Sequence, residues 1–371
     1  MRHRAFIILF FALISIDNFS QQANNFTKKD GLSSNLVNSI KIDKQNNIWF
    51  CTDSGITKYD GTKWTSFYKS NGLPSNRIEF VDFDNKNNAW FVSVRGITKY
   101  DGKEFKTYIP PSEMRTQIVE VNLPFTDSIS DTNNIRKILI EDIDTTKDEN
   151  TSEDFVDHHG KWDSTKIEIC SIMIDKNYII WIGTMGEGIY NFNGQTWTKI
   201  KEPEYDSFSF AYSMAQDKFG NIWIGTSNGI YTSIKNNWKH YSFNDGLVDK
   251  WIYSIAIDSN NVKYFGTSRG IISVFNDKKW SEIQLPGDTL TNQVTSIVVD
   301  SQNNKLVVCD WGVFKVNNKD IFDFIPKEMK NKYRITNIAI DKYDYIWLST
   351  DVLDCNYKND FGVYRIKNTN R

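Results

Sequence analysis

An aspartate followed six residues later by a large side chain recurs seven times along this 371-residue chain. The aspartates are Asp43, Asp84, Asp175, Asp217, Asp258, Asp300 and Asp341; their partners are Trp49, Trp90, Trp181, Trp223, Tyr264, Leu306 and Trp347. Successive spacings are 41, 91, 42, 41, 42 and 41 residues, so one period holds throughout and the long step marks an insertion. A fixed period of this length means one supersecondary unit used many times, each burying its apolar face against the next.

The second unit shows what the repeat is made of. Residues 78–83, 89–92, 97–100 and 104–108 are rich in β-branched and aromatic side chains and are separated by turn residues. Asn85 to Asn88 form the first turn, because Asn and Asp tolerate positive φ and hydrogen-bond their own backbone. Gly96 breaks the second strand from the third, and the same glycine returns at Gly55, Gly188, Gly229, Gly270, Gly312 and Gly362. Asp101-Gly102 predicts a tight two-residue hairpin with positive φ at both centres. Four strands per 41 residues, repeated radially, predict an all-β fold: a single seven-bladed β-propeller. Turns this dense exclude helical repeats.

The ends of the chain predict how the ring closes. The last unit stops at its third strand, residues 363–366. Asn24-Asn25-Phe26-Thr27 precedes Gly31-Leu32 as Thr65-Ser66-Phe67-Tyr68 precedes Gly72-Leu73, so the N-terminal segment should supply the missing strand of blade seven. Ahead of it, Arg2 and Arg4 followed by an apolar run from Ala5 to Ile16 predict a signal peptide over residues 1–20, leaving 21–371 as a periplasmic or secreted propeller. The run is too short to span a bilayer. Cys51 and Cys309 fall in non-adjacent units and are expected as buried thiols rather than a bridge; Cys355 lies in a loop.

Three strings carry a family resemblance: Gly72-Leu73-Pro74-Ser75-Asn76-Arg77, Asn221-Ile222-Trp223-Ile224-Gly225-Thr226 and Ile97-Thr98-Lys99-Tyr100-Asp101-Gly102. They resemble the two-component regulator propeller repeat, over essentially all of residues 22–368 outside the insertion. The resemblance implies a sensor-type domain of the kind found outside the cytoplasm in bacterial hybrid histidine kinases. Units six and seven depart from it, with Leu306-Val307-Val308-Cys309 and Leu348-Ser349-Thr350 in place of the Trp-Ile-Gly-Thr string. No kinase, membrane-spanning or DNA-binding segment is expected after the propeller, so the resemblance carries the sensor reading without its signalling output.

Repetition builds the scaffold, and the irregular loops carry the function. The insertion, residues 109–165, holds thirteen acids against five bases, a formal −8 that leaves the remaining chain at +6. Asp157, His158 and His159 within it suggest a metal, but adjacent histidines on extended chain point apart and chelate poorly, so no metal and no other cofactor is expected. The Asp-x-x-Asn first turns lack the glycine and closing Glu of a calcium loop. On the insertion-bearing face, one residue per blade falls near the axis: Asp53, Arg95, Glu187, Asn228, Arg269 and Asp310, with Trp311 beside the last and Trp251 in a connection between blades. Arginines and carboxylates beside aromatic planes suit an oligosaccharide or a small anion.

The overall charge of −2 gives no sign of a nucleic-acid partner. No catalytic string occurs, although Glu187 and Asp310 could serve as paired carboxylates. The expected protein is a monomeric binding module for a small molecule, glycan or protein. The alternative is a carbohydrate-active lyase or hydrolase.

Overall fold

The structure, a computed structural model, describes residues 23–368 apart from 111–168, 201–209, 235–236, 288–291, 318–319, 327–328, 331 and 353–360. The chain divides into two compact units, residues 1–110 with 168–371, and residues 111–167. Residues 1–20, expected as a signal peptide, and Asp157, His158, His159 and Cys355 lie outside the described residues.

Seven four-stranded antiparallel sheets make up the first unit. Six are consecutive meanders: residues 37–67, 80–108, 169–199, 211–241, 252–284 and 294–323 are blades one to six. The innermost strands are Val37–Ile42, Phe80–Phe83, Ile169–Ile174, Ala211–Gln216, Ile252–Ile257, Val294–Val299 and, in blade seven, Tyr333–Ile340. Each touches the next around the ring, and the seventh touches the first. The fold is a closed seven-bladed propeller. Among the described residues helix is confined to short 3-10 turns such as Lys69–Asn71.

The repeated aspartate builds the first turn of each blade. Asp43 Oδ1 accepts the backbone N–H of Gln45 at 3.0 Å and of Asn47 at 2.8 Å. Asn46 between them takes φ +70°, the left-handed conformation that a three-residue hairpin loop needs. The other oxygen, Oδ2, accepts the indole N–H of Trp49 at 3.0 Å, which explains the spacing of six. The same bond joins Asp84 to Trp90, Asp175 to Trp181, Asp217 to Trp223 and Asp341 to Trp347, and the Tyr264 hydroxyl makes it to Asp258. Leu306 has no donor to give. There Asn368 Nδ2 lies 3.3 Å and Lys315 Nζ 3.8 Å from Asp300 Oδ2. These carboxylates, six of them buried and Asp258 half-buried, are committed to the turn, as a hairpin reading requires.

The turn between the third and fourth strands differs from expectation. Tyr100 pairs with Phe105, so the loop has four residues, and only Gly102 has positive φ, +96°. Asp101 Oδ1 accepts the N–H groups of Lys103 and Glu104 at 2.9 and 3.0 Å. Side-chain capping by Asp replaces the two-residue turn, because it satisfies the loop amides without forcing Asp101 into a strained conformation.

Apolar cores lie between blades. Trp223 and Tyr241 of blade four pack with Phe265, Phe275 and Trp280 of blade five. Trp64, Trp197, Trp238 and Trp280 recur near the start of the fourth strand in blades one, three, four and five, and the Trp280 ring packs 5.4 Å from Tyr241 of the neighbouring blade. Cys51 and Cys309 are buried free thiols in blades one and six; burial pushes both pKa values up, that of Cys309 to about 11.

The ring closes through the N-terminus. Strand Ala23–Phe26 pairs antiparallel with Val363–Lys367, Ala23 opposite Ile366 and Phe26 opposite Val363. A Cβ on Gly55 would stand 2.6 Å from the Phe67 carbonyl oxygen, and one on Gly96 2.6 Å from that of Tyr108. At Gly362 the same clash, at 2.4 Å, is with Phe26. The N-terminal strand therefore stands where the other blades carry their fourth strand.

Candidate functional site

In six innermost strands the pairing with the second strand slips by one residue. The extra residue lies five positions before the repeat aspartate: Asn38, Cys170, Tyr212, Tyr253, Thr295 and Thr336. Glu79 holds that position in blade two. Such a bulge leaves its residue outside the ladder and re-aims the side chain. The next position helps to fix it. Ser171 Oγ donates to the Ala211 carbonyl at 2.8 Å and Ser254 Oγ to that of Val294 at 3.1 Å, each reaching the neighbouring blade. A Cβ on Gly183 or Gly266 would lie 2.4 or 2.3 Å from those hydroxyls, so a glycine opposite makes room for each serine.

The bulges bring side chains of adjacent blades together at the inner edge of the ring. The rings of Tyr212 and Tyr253 are 4.9 Å apart. Trp251 lies 6.3 Å from both, and Phe210 6.1 Å from Tyr212. All four are half-buried. Burial, with Tyr253 and Cys170 nearby, pushes the Tyr212 hydroxyl up to about 12. The Tyr253 pKa is raised by burial, then by the negative charges of Asp249 and Asp310. Across blades seven, one and two a pocket of about 260 Å³ is lined by Leu36, Asn38, Glu79, Thr336, Asn337 and Asp351. Asn337 Nδ2 donates to the Asn38 carbonyl and Asn38 Nδ2 to that of Ile78, linking the three blades.

Of the residues singled out from sequence, Trp251 and Asp310 belong to this edge. Asp310 accepts the N–H of Gln293 at 2.8 Å, and Arg334 Nη2 of blade seven lies 3.8 Å away. Among the described residues no hydrogen bond or ion pair links any two of Asp53, Arg95, Glu187, Asn228, Arg269 and Asp310. Glu187 faces Lys199 of the outer strand at 3.8 Å, a different cation from the one beside Asp310. Asn228 is exposed, its carbonyl 2.6 Å from His240 Nε2, and His240 stacks on Tyr231 in the outer part of blade four. Arg95 and Arg269 are exposed at loop tips. Asp53 accepts from Ser54 Oγ at 3.2 Å. Trp311 lies over Gly287, and its N–H donates to Asn292 Oδ1 at 3.4 Å. Tyr212 and Tyr253 escape the sequence reading, although a tyrosine at the same offset in two successive units is visible there.

No helix among the described residues is long and apolar enough to cross a membrane. No curated protein matches the chain. The two-component regulator propeller model matches residues 31–54 and 206–228. Among solved structures, the extracellular domain of a hybrid two-component system from B. thetaiotaomicron is similar, with TM-score 0.64 and 18% identity over 94% of this chain and 42% of that one. The extracellular domain of a one-component system from the same organism gives 0.62 and 16% over 95% and 40%. The chain thus spans about two fifths of the length of these two. Virginiamycin B lyase from Staphylococcus aureus gives 0.64 and 13% over 94% and 99%. The chain is a seven-bladed propeller in which two stretches match the two-component regulator propeller model.

Proposed function

We propose that this protein is an extracytoplasmic recognition module of the sensor type, binding a ring-bearing small molecule or glycan at the inner edge of the face where the insertion leaves and rejoins blades two and three. The observation that carries this reading is the group of four half-buried rings, Phe210, Tyr212, Trp251 and Tyr253, on the first strands of two adjacent blades and the segments leading into them. Aromatic faces left half open beside a few polar groups form an ordinary small-molecule site. The apolar body of each ring stacks, while the neighbouring carboxylates and amides orient polar substituents. The similarity to extracellular sensor domains and the basic-then-apolar N-terminus support a location outside the cytoplasm.

The test is a fluorescence titration of the intact protein with a panel of glycans and small metabolites. Tyr212→Ala and Tyr253→Ala together should weaken the binding found by about tenfold or more, as loss of two stacking faces predicts, with little change in melting temperature. Full-strength binding by the double variant would move the site elsewhere.

A further inference from the structure

The inner edge of blades four and five has a charge pattern that narrows what it can hold. We infer that this site takes an organic cation, an amine or quaternary ammonium group, with the positive charge seated against Tyr212, Tyr253 and Trp251. The inference rests on the reading of the aromatic group as a binding site and adds the chemistry of its ligand.

Three observations converge. The first is the rings themselves: three aromatic faces from two blades, mutually within 6.3 Å, present the negative side of their quadrupoles. The second is Asp249. Its side chain is buried, yet it enters no ion pair among the described residues. It accepts only from neutral donors: the N–H of Trp251 at 3.3 Å, and the N–H and hydroxyl of Ser268 at 3.1 and 2.5 Å. The equivalent turn in blades one and two is capped by Ser34 and Ser75, which do the same job without a charge. A carboxylate buried where a hydroxyl suffices is costly unless a positive charge offsets it. Asp310 of blade six adds a second negative charge, which with Asp249 helps to raise the Tyr253 pKa.

The third observation is that two exposed cations of the chain itself stand here. Lys250 Nζ stands 5.8 Å from the centre of the Trp251 ring, and Arg334 lies 3.8 Å from Asp310 with 57% of its side chain exposed. Both are long surface side chains that a ligand cation can displace, and both mark where the local potential is attractive.

The experiment uses choline and its uncharged isostere 3,3-dimethylbutan-1-ol, titrated into the whole protein by calorimetry or ligand-observed NMR. Choline should bind at least tenfold more tightly than the alcohol, and the difference should collapse in Tyr253→Leu and in Asp310→Asn. Equal binding of the two probes, or binding of neither, overturns the cation assignment. If a neutral saccharide instead binds in a Tyr212- and Tyr253-dependent way, the recognition site stands and the cation inference fails. If no ligand of any charge responds to the tyrosine substitutions, both fail.

Discussion

Asp217 concentrates the physics of the repeat in one side chain. Its carboxylate takes the N–H groups of Phe219 and Asn221, the Asn221 amide and the Trp223 indole, and Lys263 Nζ lies 3.7 Å away, itself fully buried. Burial opposes its ionisation, but these donors and the lysine outweigh burial and hold its pKa below the usual value; Asp300 behaves alike. A carboxylate with a depressed folded-state pKa adds stability that is present above its unfolded value, about 3.9, and is lost as pH falls through the folded one. Thermal melting should therefore be nearly flat from about pH 5 to 7 and fall steeply below about pH 4. Asp217→Asn should cost about 1–3 kcal/mol at pH 7, because its amide turns a donor toward donors, and should flatten the acid limb. A variant with the wild-type melting curve at both pH values would contradict this account. Lys305 shows the opposite balance. It stands where other blades carry Ile48, Ile180, Ile222 and Ile346, and burial pulls its pKa down against the attraction of Asp258 and Asp300.

Among strands, the decisive one is Ala23–Phe26. Its pairing with Val363–Lys367 was legible because the turn residues after it repeat those after the fourth strand of blade one. Phe26 also does what a fourth-strand aromatic does elsewhere: its ring lies 5.4 Å from Trp64 and 5.7 Å from Trp347, joining blades one and seven. Gly362→Ala should push the strand outward, since the new methyl would meet the Phe26 carbonyl. The expected result is a loss of about 1–3 kcal/mol, with faster proteolysis near residues 23–30. Unchanged melting and cleavage would show that the strand is held by something else. The bulges of the innermost strands were not legible. A register slip depends on what stands opposite across the pair, here the fit of Ser171 to Gly183 or Ser254 to Gly266, and a period-two pattern does not reveal it.

For the whole molecule, each of the seven sheets has four strands, and the N-terminal strand supplies the fourth strand of blade seven. Deleting residues 23–30 should leave the Val363–Lys367 edge unpaired, lower the melting temperature and promote concentration-dependent association. Calorimetry with sedimentation velocity checks both, and a monomer of unchanged stability would refute the closure. The turn hydrogen bonds say the same of the opposite face: Lys342 N–H donates to Asn46 Oδ1 across the seam as Lys44 N–H does to Asn87 Oδ1 between blades one and two.

Blade number, strand number and the seam could all be read from the chain, because each rests on relations within one 41-residue unit: an aspartate capping its own turn, a tryptophan six positions on, a glycine under the outer strand. The make-up of the inner edge could not. Glu187 and Asp310 lie in corresponding loops of blades three and six, yet Glu187 faces Lys199 of its own blade and Asp310 faces Arg334 of the next, while Tyr212 and Tyr253 meet because two bulges in different units come into register. The contact of Tyr212 with Tyr253 joins residues one repeat apart, and folding the ring is what brings such partners together.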